Sequence, residues 1–515
     1  MISVLIGLTP FIPLIMAFTI PLVYMLSRSR LVVMYYTSTA LALTAFISSA
    51  IAIETYHNEH PLVFKAGGWP PPVGIAYIAD RFTALVSAVS AMILLAISIY
   101  SINYITDESY PWYCVLLLGN ASGILGVLYT CDMFNLFVML EVTGVSAYAL
   151  VMYCRRRLNA LVSGIKYAFI GSLGTTLYLL AMGLVYSAYG TLNFIDFSLR
   201  ASSSQGVLQT IELGAISVLV LWAFSIKSGV FPNHFWLPDA HPAAPTPISA
   251  LLSGRVVNTG LIGLCKFLYL AMWNPPAPVS AIKSIISLTT IIMGCISAIV
   301  GSLLMNTQRD VKRLIAYSTI MNLGFLFMGV GCGSDGGLQA ALYYVCAHSL
   351  AKATLFMSTG VFIKVSGSRD LEKLSGLGLK YPIAGAAFTM SVLALAGIPP
   401  LPGFLAKLLL YQALFEYNAI VAISMILASA IGLLAYMKLL YTVLLGTPLV
   451  PLTKLKMNHA YLSLLIEVAL IVLLGIATLF SPQVLSSVFG SAAEQLTLGI
   501  NSYVEYIRKI LLPLS

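Results

Sequence analysis

Charge is scarce in this sequence. Asp, Glu, Lys and Arg make up 9% of the 515 residues, where a soluble domain carries about 25%. That excludes a water-soluble fold of ordinary composition. The seven cysteines are scattered, with no CxxC and no Cys/His cluster at metal spacing. No iron–sulfur cluster, structural zinc or disulfide framework is expected of this chain. Nor is there a nucleotide-binding or quinone-reducing signature, so the chain is not expected to carry out redox chemistry alone. The formal net charge of +9 does not read as nucleic-acid binding, because the basic residues sit mostly in short loops between apolar runs.

What is present is hydrophobic sequence, at 59% of all residues. A membrane span needs roughly 20 apolar residues, and fourteen candidate spans lie between residues 2 and 480. The run 2–26 is too long for the core of a signal peptide and has no basic lead-in, so it reads as a retained first helix. The tail 484–512 mixes apolar residues with Glu494, Glu505, Arg508 and Lys509. It reads as an amphipathic surface helix rather than a fifteenth span. The expectation is an all-α polytopic membrane protein: spans 1–3 in residues 1–109, spans 4–8 in 110–271, spans 9–13 in 278–446, and span 14 with the tail in 459–515. Loops after odd-numbered spans hold fourteen Lys and Arg, including Lys454 and Lys456, against four after even-numbered spans. By the positive-inside rule the odd loops are cytoplasmic and both termini lie outside, in the cell membrane.

Two stretches break the helical pattern. One is FPNHFWLPDAHPAAPTP, residues 231–247, and the other is GIPPLPG, 397–403. Proline inside a span frees backbone groups that must find other partners, which is tolerated where backbone lines a cavity or is buried in protein. Paired breaks in two halves of a transporter mark inverted repeats and the transport site. Ionisable residues fall inside the spans as well: Glu141, Lys227, His348, Lys352 and Lys407. A charge at mid-membrane costs at least about 2.5–3.5 kcal/mol, and such residues mark ion or proton paths.

These stretches resemble the antiporter-like subunits of respiratory complex I, of Mrp-type cation/proton antiporters (the D-type subunit above all) and of energy-converting membrane hydrogenases and sulfur reductases. The strongest block is KSGVFPNHFWLPDAHPAAPTPISALLSG, 227–254, supported by DMFNLFVMLEVTGVSAYAL, RDVKRLIAYSTIMNLGF, HSLAKATLF and GIPPLPGFLAK. The resemblance implies fourteen helices in which spans 4–8 and 9–13 form two inverted five-helix repeats with broken helices 7 and 12. It also implies a hydrated polar axis across the membrane. Glu141 matches the carboxylate of the fifth span, Lys227 the lysine of the seventh, His348 and Lys352 the pair of the eleventh, and Lys407 the terminal lysine of the twelfth. One departure stands out: Asn258 occupies the place of a bridging lysine in the eighth span, with Arg255 three residues earlier. An amide cannot carry a proton as a titrating site near neutral pH. A weakened axis is therefore expected there.

In this reading Glu141 and Lys227 form a switch, since the charge state of a buried lysine depends on how near its carboxylate stands. The alternative is a static ion pair joining two helices. His348 and Lys352, four apart, share a helix face and can relay a proton. Lys407 is either the exit residue or a lysine reaching for headgroups. Asp239 and His241 in the first break either orient the broken helix or line a hydrated access route. Asp132 either caps the fifth helix or takes up protons. Glu467, mid-span in the fourteenth helix, either meets a neighbouring subunit or pairs with Lys438. His57 and His60 read as an exposed polar loop. The function expected is translocation of H⁺ and/or Na⁺ by one membrane subunit of a hetero-oligomeric complex in the lipid bilayer. Its soluble iron–sulfur redox arm would lie in other subunits, and no cofactor would sit in this chain. The alternatives are a subunit of a stand-alone Mrp Na⁺/H⁺ antiporter and a scaffold that no longer pumps.

Overall fold

The computed structural model describes residues 2–71, 73–203, 207–272, 277–449, 457–497 and 500–511. The loop holding Lys454 and Lys456 lies outside them. The helices follow one another as α1 (Ile2–Ser27), α2 (Arg30–His57), α3 (Arg81–Tyr104), α4 (Tyr110–Tyr129), α5 (Met133–Val151), α6 (Leu158–Tyr189) and the short α7 (Phe194–Ser203). Next come α8 (Val207–Ser228), α9 (Leu237–Ala243), α10 (Thr246–Leu251), α11 (Val257–Lys266), α12 (Ala277–Thr307), α13 (Val311–Gly331) and α14 (Asp335–Ser366). The chain ends with α15 (Leu377–Lys380), α16 (Pro382–Ala396), α17 (Pro402–Tyr417), α18 (Ala419–Leu440), α19 (Asn458–Phe480), α20 (Pro482–Val484), α21 (Ser491–Leu496) and α22 (Ile500–Leu511). Between α10 and α11 the spiral widens into a π turn, Leu252–Val256, so the eighth span runs unbroken from Thr246.

Twelve of these helical units are long and apolar enough to cross a membrane, or thirteen if the bent pair ending in α16 counts as one. The two expected spans outside the twelve are the eleventh and the twelfth. α14 dilutes its apolar sequence with Tyr344, His348, Ser349 and Lys352, and the twelfth is split into α16 and α17. Helix is the natural result in an apolar medium, where every backbone N–H and C=O must be satisfied within the segment. Some helix starts are capped by side chains. Asp80 and Thr83 exchange a reciprocal pair at the start of α3, and Asp310 accepts from the N–H groups of Lys312 and Arg313 at the start of α13. Helices approach closely over small residues: a Cβ on Gly324 of α13 would stand 2.5 Å from the Gly294 carbonyl of α12.

Two features depart from the sequence expectation. The α2–α3 connection contains an antiparallel hairpin, β1 (Leu62–Lys65) with β2 (Ala76–Ala79), in which Val63 pairs with Ile78. Two four-residue strands, LVFK and AYIA, with no alternation of their own and so close to two long apolar helices, gave no distinct signal. The tail, expected as one surface helix over 484–512, is divided into the end of α20, a π turn (Leu485–Gly490), α21 and α22, and α22 buries Tyr503, Val504 and Ile507 against the protein, with the Tyr503 hydroxyl on Asp80 (3.2 Å).

Among the described residues, the loops after the first, third, fifth, ninth and eleventh spans gather on one face. Arg30 reaches the carbonyls of Ile102 and Ile105, Lys364 that of Asn103, and the Asn103 side chain accepts from the Ala460 N–H. Arg157, Asp310, Arg313 and Arg369 line one pocket of about 630 Å³ on that face. α22 and the hairpin lie at the other end, where the first turns of α1 pack on β1.

Candidate functional site

The residues expected in the first half of a polar axis sit on α5 and α8. Glu141, Gly144 and Tyr148 share a face of α5 at spacings of three and four. Lys227 closes the last turn of α8 and donates from Nζ to the Tyr148 hydroxyl (3.2 Å). A side chain at Gly144 would crowd both groups, with Tyr148 Oη at 2.8 Å and Lys227 Nζ at 3.4 Å from its Cβ. Among the described residues Glu141 makes no ion pair within 4.0 Å, and its Oε1 has no protein partner. Glu141 and Lys227 are thus placed on one site without touching, and Tyr148 takes the contact the sequence assigned to the carboxylate. Tyr148 is wedged by Tyr167 (centroids 4.6 Å apart), which stacks on Trp236 (4.0 Å).

Trp236 belongs to the first break. α8 stops at Ser228 because Gly229 takes a left-handed turn (φ +66°) and Pro232 follows. The freed backbone groups are accounted for: Trp236 Nε1 donates to the Ile226 carbonyl (3.1 Å), and the Phe231 N–H donates to Ser297 Oγ (2.8 Å). The second break repeats the logic with a charge. The Ala396 carbonyl at the end of α16 accepts from Lys407 Nζ (3.3 Å), which also donates to Ser429 Oγ (3.0 Å) and lies over the Phe325 ring.

The centre of the membrane domain is built by the π turn and α14. Arg255 and Asn258 are both fully buried, and both donate to the Ser349 hydroxyl, at 3.2 and 2.9 Å. Asn258 is therefore packed inside the bundle, not against lipid. Two guanidinium nitrogens of Arg255, the Asn258 Oδ1 and both ring nitrogens of His348 have no protein partner. Lys352, one turn beyond His348, donates to the Ile315 carbonyl (3.1 Å) and to Ser318 Oγ. From Ser318 a ladder of neutral groups continues: Tyr436 Oη donates to Ser318 Oγ (3.1 Å), Asn322 Nδ2 to Tyr436 Oη (3.1 Å), and Tyr344 Oη to Asn322 Oδ1. Among the described residues no side-chain hydrogen bond joins Lys227 to Arg255 or Asn258.

The secondary residues fall at the edges. Asp132 caps α5, accepting from the Asn135 N–H (2.7 Å). Asp239 binds Lys166 (2.6 Å) and Arg313 (2.9 Å), tying α9 to α6 and α13 beside the 630 Å³ pocket. His241 is fully buried against Phe356, with neither ring nitrogen partnered. Lys266 caps the C-terminus of α4 through the carbonyls of Val127 and Thr130. Lys438 donates to the Gln308 carbonyl (3.4 Å), so it is not the partner of Glu467.

Sequence reading missed Tyr148, Lys166, Ser318, Asn322, Tyr344, Ser349 and Tyr436. Neutral polar residues are common in spans, but one signal was present. Ser318 and Asn322 are four apart, as are Tyr344, His348 and Lys352, so each set forms a polar stripe on one helix face.

All five ion pairs among the described residues lie outside the axis. Lys227, Arg255, Lys352 and Lys407 are at most 9% exposed, and none has a described carboxylate in contact. Without a counter-charge, a charge inside a membrane is held by dipoles or by water, or in a lysine is lost with its proton. A helical bundle that strings such groups across its middle has the build of an ion-translocating membrane subunit.

The chain belongs to the NADH:quinone oxidoreductase/Mrp antiporter transmembrane family, whose pattern matches residues 130–432. It is 30% identical over 507 residues to the D subunit of the Na(+)/H(+) antiporter of Bacillus subtilis (strain 168), covering 97% of this chain and 98% of that protein. Among solved structures it resembles a chain of the membrane-bound sulfane sulfur reductase, an archaeal respiratory membrane complex. The TM-score is 0.88 at 26% identity, over 97% of this chain and 99% of the other. It also shares the fold of a chain of the Mrp complex from Dietzia sp. DQ12-45-1b, with a TM-score of 0.86 at 23% identity over 98% and 99% of the two chains.

Proposed function

We propose that this chain moves protons, or Na⁺, through the membrane as one subunit of a redox complex in the cell membrane. Electron transfer on an iron–sulfur arm in other subunits would drive the ion movement here. The observation that carries this reading is the file of unpartnered buried polar atoms along the axis: Glu141 Oε1, Ser228 Oγ, Arg255 Nε, Asn258 Oδ1 and the ring of His348. Buried polar groups are almost always satisfied. A file of such groups in a membrane protein is what ordered water satisfies, and water between titratable side chains conducts protons. The reading counts α14 and the α16–α17 pair as spans, giving fourteen, with α4–α11 and α12–α18 as the repeats and both termini outside. Lys227, Lys352 and Lys407 would each hold and pass a proton. Glu141 and Tyr148 would hold Lys227, Arg255 and Asn258 would bridge the halves, and the Asp239–His241 break would admit protons from the basic face.

The similarity to a sulfane sulfur reductase chain over nearly the full length favours the redox setting. The similarity to the D subunit of a Na(+)/H(+) antiporter supports a second reading, a stand-alone antiporter. Purifying the complex through a tag on this chain separates them. An iron–sulfur subunit in the preparation supports the first, and membrane subunits alone support the second. Lys227→Ala complexes in proteoliposomes test both: if they still carry protons or Na⁺ at the wild-type rate, neither reading stands.

A further inference from the structure

α19 crosses behind the second half of the axis and lies beyond residues 130–432, the stretch that matches the family. Its middle carries Glu467, fully buried in the run LSLLIEVALIVLL. The side chain meets α14, where Thr354 Oγ1 lies 3.4 Å from Oε2 while also reaching the Leu350 carbonyl at 2.8 Å, and Oε1 has no protein partner. Among the described residues no cation stands within 4.0 Å of it.

The helices packed on α19 supply no counter-charge. α3 has only Arg81, Tyr100 and Tyr104 as titratable groups; Arg81 is engaged by backbone carbonyls at the helix start, and Tyr100 donates to the Met357 carbonyl. α16 has none. On α17, Lys407 is engaged by Ser429 and the Ala396 carbonyl, while Tyr411, Glu416 and Tyr417 lie further along. On α14, Lys352 points to α13, two residues from Thr354 and so on the opposite side of the helix, and the Tyr343 hydroxyl bonds Thr478. His348, Tyr344 and Cys346 complete the titratable groups in the buried part of α14.

An ionised carboxylate with one neutral hydroxyl for company in such a place carries a large desolvation penalty that nothing around it offsets. A carboxyl that keeps its proton does not, and its O–H is then a donor on the oxygen that lacks a partner. Beside this pair lies an apolar cleft of about 190 Å³ between α3, α14 and α19. Leu470, three residues from Glu467, and Leu350, four from Thr354, line it, and so does Leu473, which is 69% exposed on the outer surface of the bundle.

We propose that Glu467 is a proton-binding site outside the family's axis. Its carboxyl holds a proton between α14 and α19 and exchanges it during ion transport. The inference rests on the ion-translocating reading above. A purely packing role is disfavoured because an apolar side chain of similar size would fill the site without the cost of desolvating a carboxyl.

The test uses the whole complex in its membrane, treated with dicyclohexylcarbodiimide. This lipid-soluble reagent adds a protonated carboxyl across its N=C=N group and rearranges to a stable N-acylurea with no leaving group. Expected is N-acylurea on the peptide containing Glu467, with loss of proton transport in step with the modification. Glu467→Gln complexes should assemble, lose the label and transport at least tenfold more slowly, while Glu467→Asp restores part of the rate. Wild-type transport in Glu467→Gln overturns the proposal, because the amide keeps the Thr354 contact and leaves only a structural role. If Glu467→Gln fails to assemble, the wild-type complex decides: an unlabelled Glu467, or labelling without loss of transport, overturns it equally. Lys227→Ala assayed alongside separates the two readings, for if it abolishes transport while Glu467→Gln does not, only this inference falls.

Discussion

Tyr148→Phe removes one oxygen and keeps the ring that packs on Tyr167, so it isolates the contact that holds Lys227. Among the described residues the ammonium has one hydrogen-bond partner, the Tyr148 hydroxyl at 3.2 Å, and it is buried beside Gly144. A hydrogen bond to a charged group contributes about 1.5–3 kcal/mol. At 1.4 kcal/mol per factor of ten, the docked, charged state of Lys227 should become roughly 10- to 150-fold less populated. If transport passes through that state, its rate falls in proportion. The assay is ion uptake into proteoliposomes holding a known amount of assembled complex, compared for wild type, Tyr148→Phe, Lys227→Met and the double variant. Because the hydroxyl acts through the ammonium, Tyr148→Phe should add nothing in the Lys227→Met background, the mark of strong coupling in a double-mutant cycle. A Tyr148→Phe complex that transports at the wild-type rate, or losses that simply add, would refute the reasoning.

Gly171→Ala would bring a Cβ to 2.0 Å from the Tyr148 hydroxyl; displacement of that ring should reproduce the Tyr148→Phe loss in the same uptake assay with the complex still assembled. Asn258→Lys looks, from sequence, like the repair of a gap, but Asn258 and Arg255 share the Ser349 hydroxyl. Two cations about 4 Å apart repel by about 4 kcal/mol at an effective dielectric near 20. The single variant is therefore expected to slow transport and Arg255→Gln with Asn258→Lys to recover it, and a single variant faster than wild type would sink the argument. Lys266→Met should leave the carbonyls of Val127 and Thr130 without this donor, at about 1–3 kcal/mol each. Thermal denaturation of the complex should show lower stability with unchanged transport per assembled complex; the reverse pattern would place Lys266 in the path.

The sequence by itself determined the fold class, the two breaks and the ionisable residues that lie inside the membrane. Each follows from a local rule: long apolar runs must become helix in lipid, prolines free backbone groups, and a charge such as Lys227 or Lys352 is too costly in a span to be incidental. Asp132 as a helix cap was legible for the same reason, since capping depends on neighbours in the chain. What only the tertiary structure decided is which groups meet. Tyr148, not Glu141, touches Lys227; Ser349 gathers Arg255 and Asn258; Ser318, Asn322 and Tyr436 continue from Lys352; and Glu467 faces Thr354 instead of Lys438. These contacts join residues tens to hundreds of positions apart. They depend on the rotation of one helix against another, which is set by how small and large side chains interlock along the whole interface. A span's own residues fix its period and its polar stripe, but not the neighbour that stripe will face.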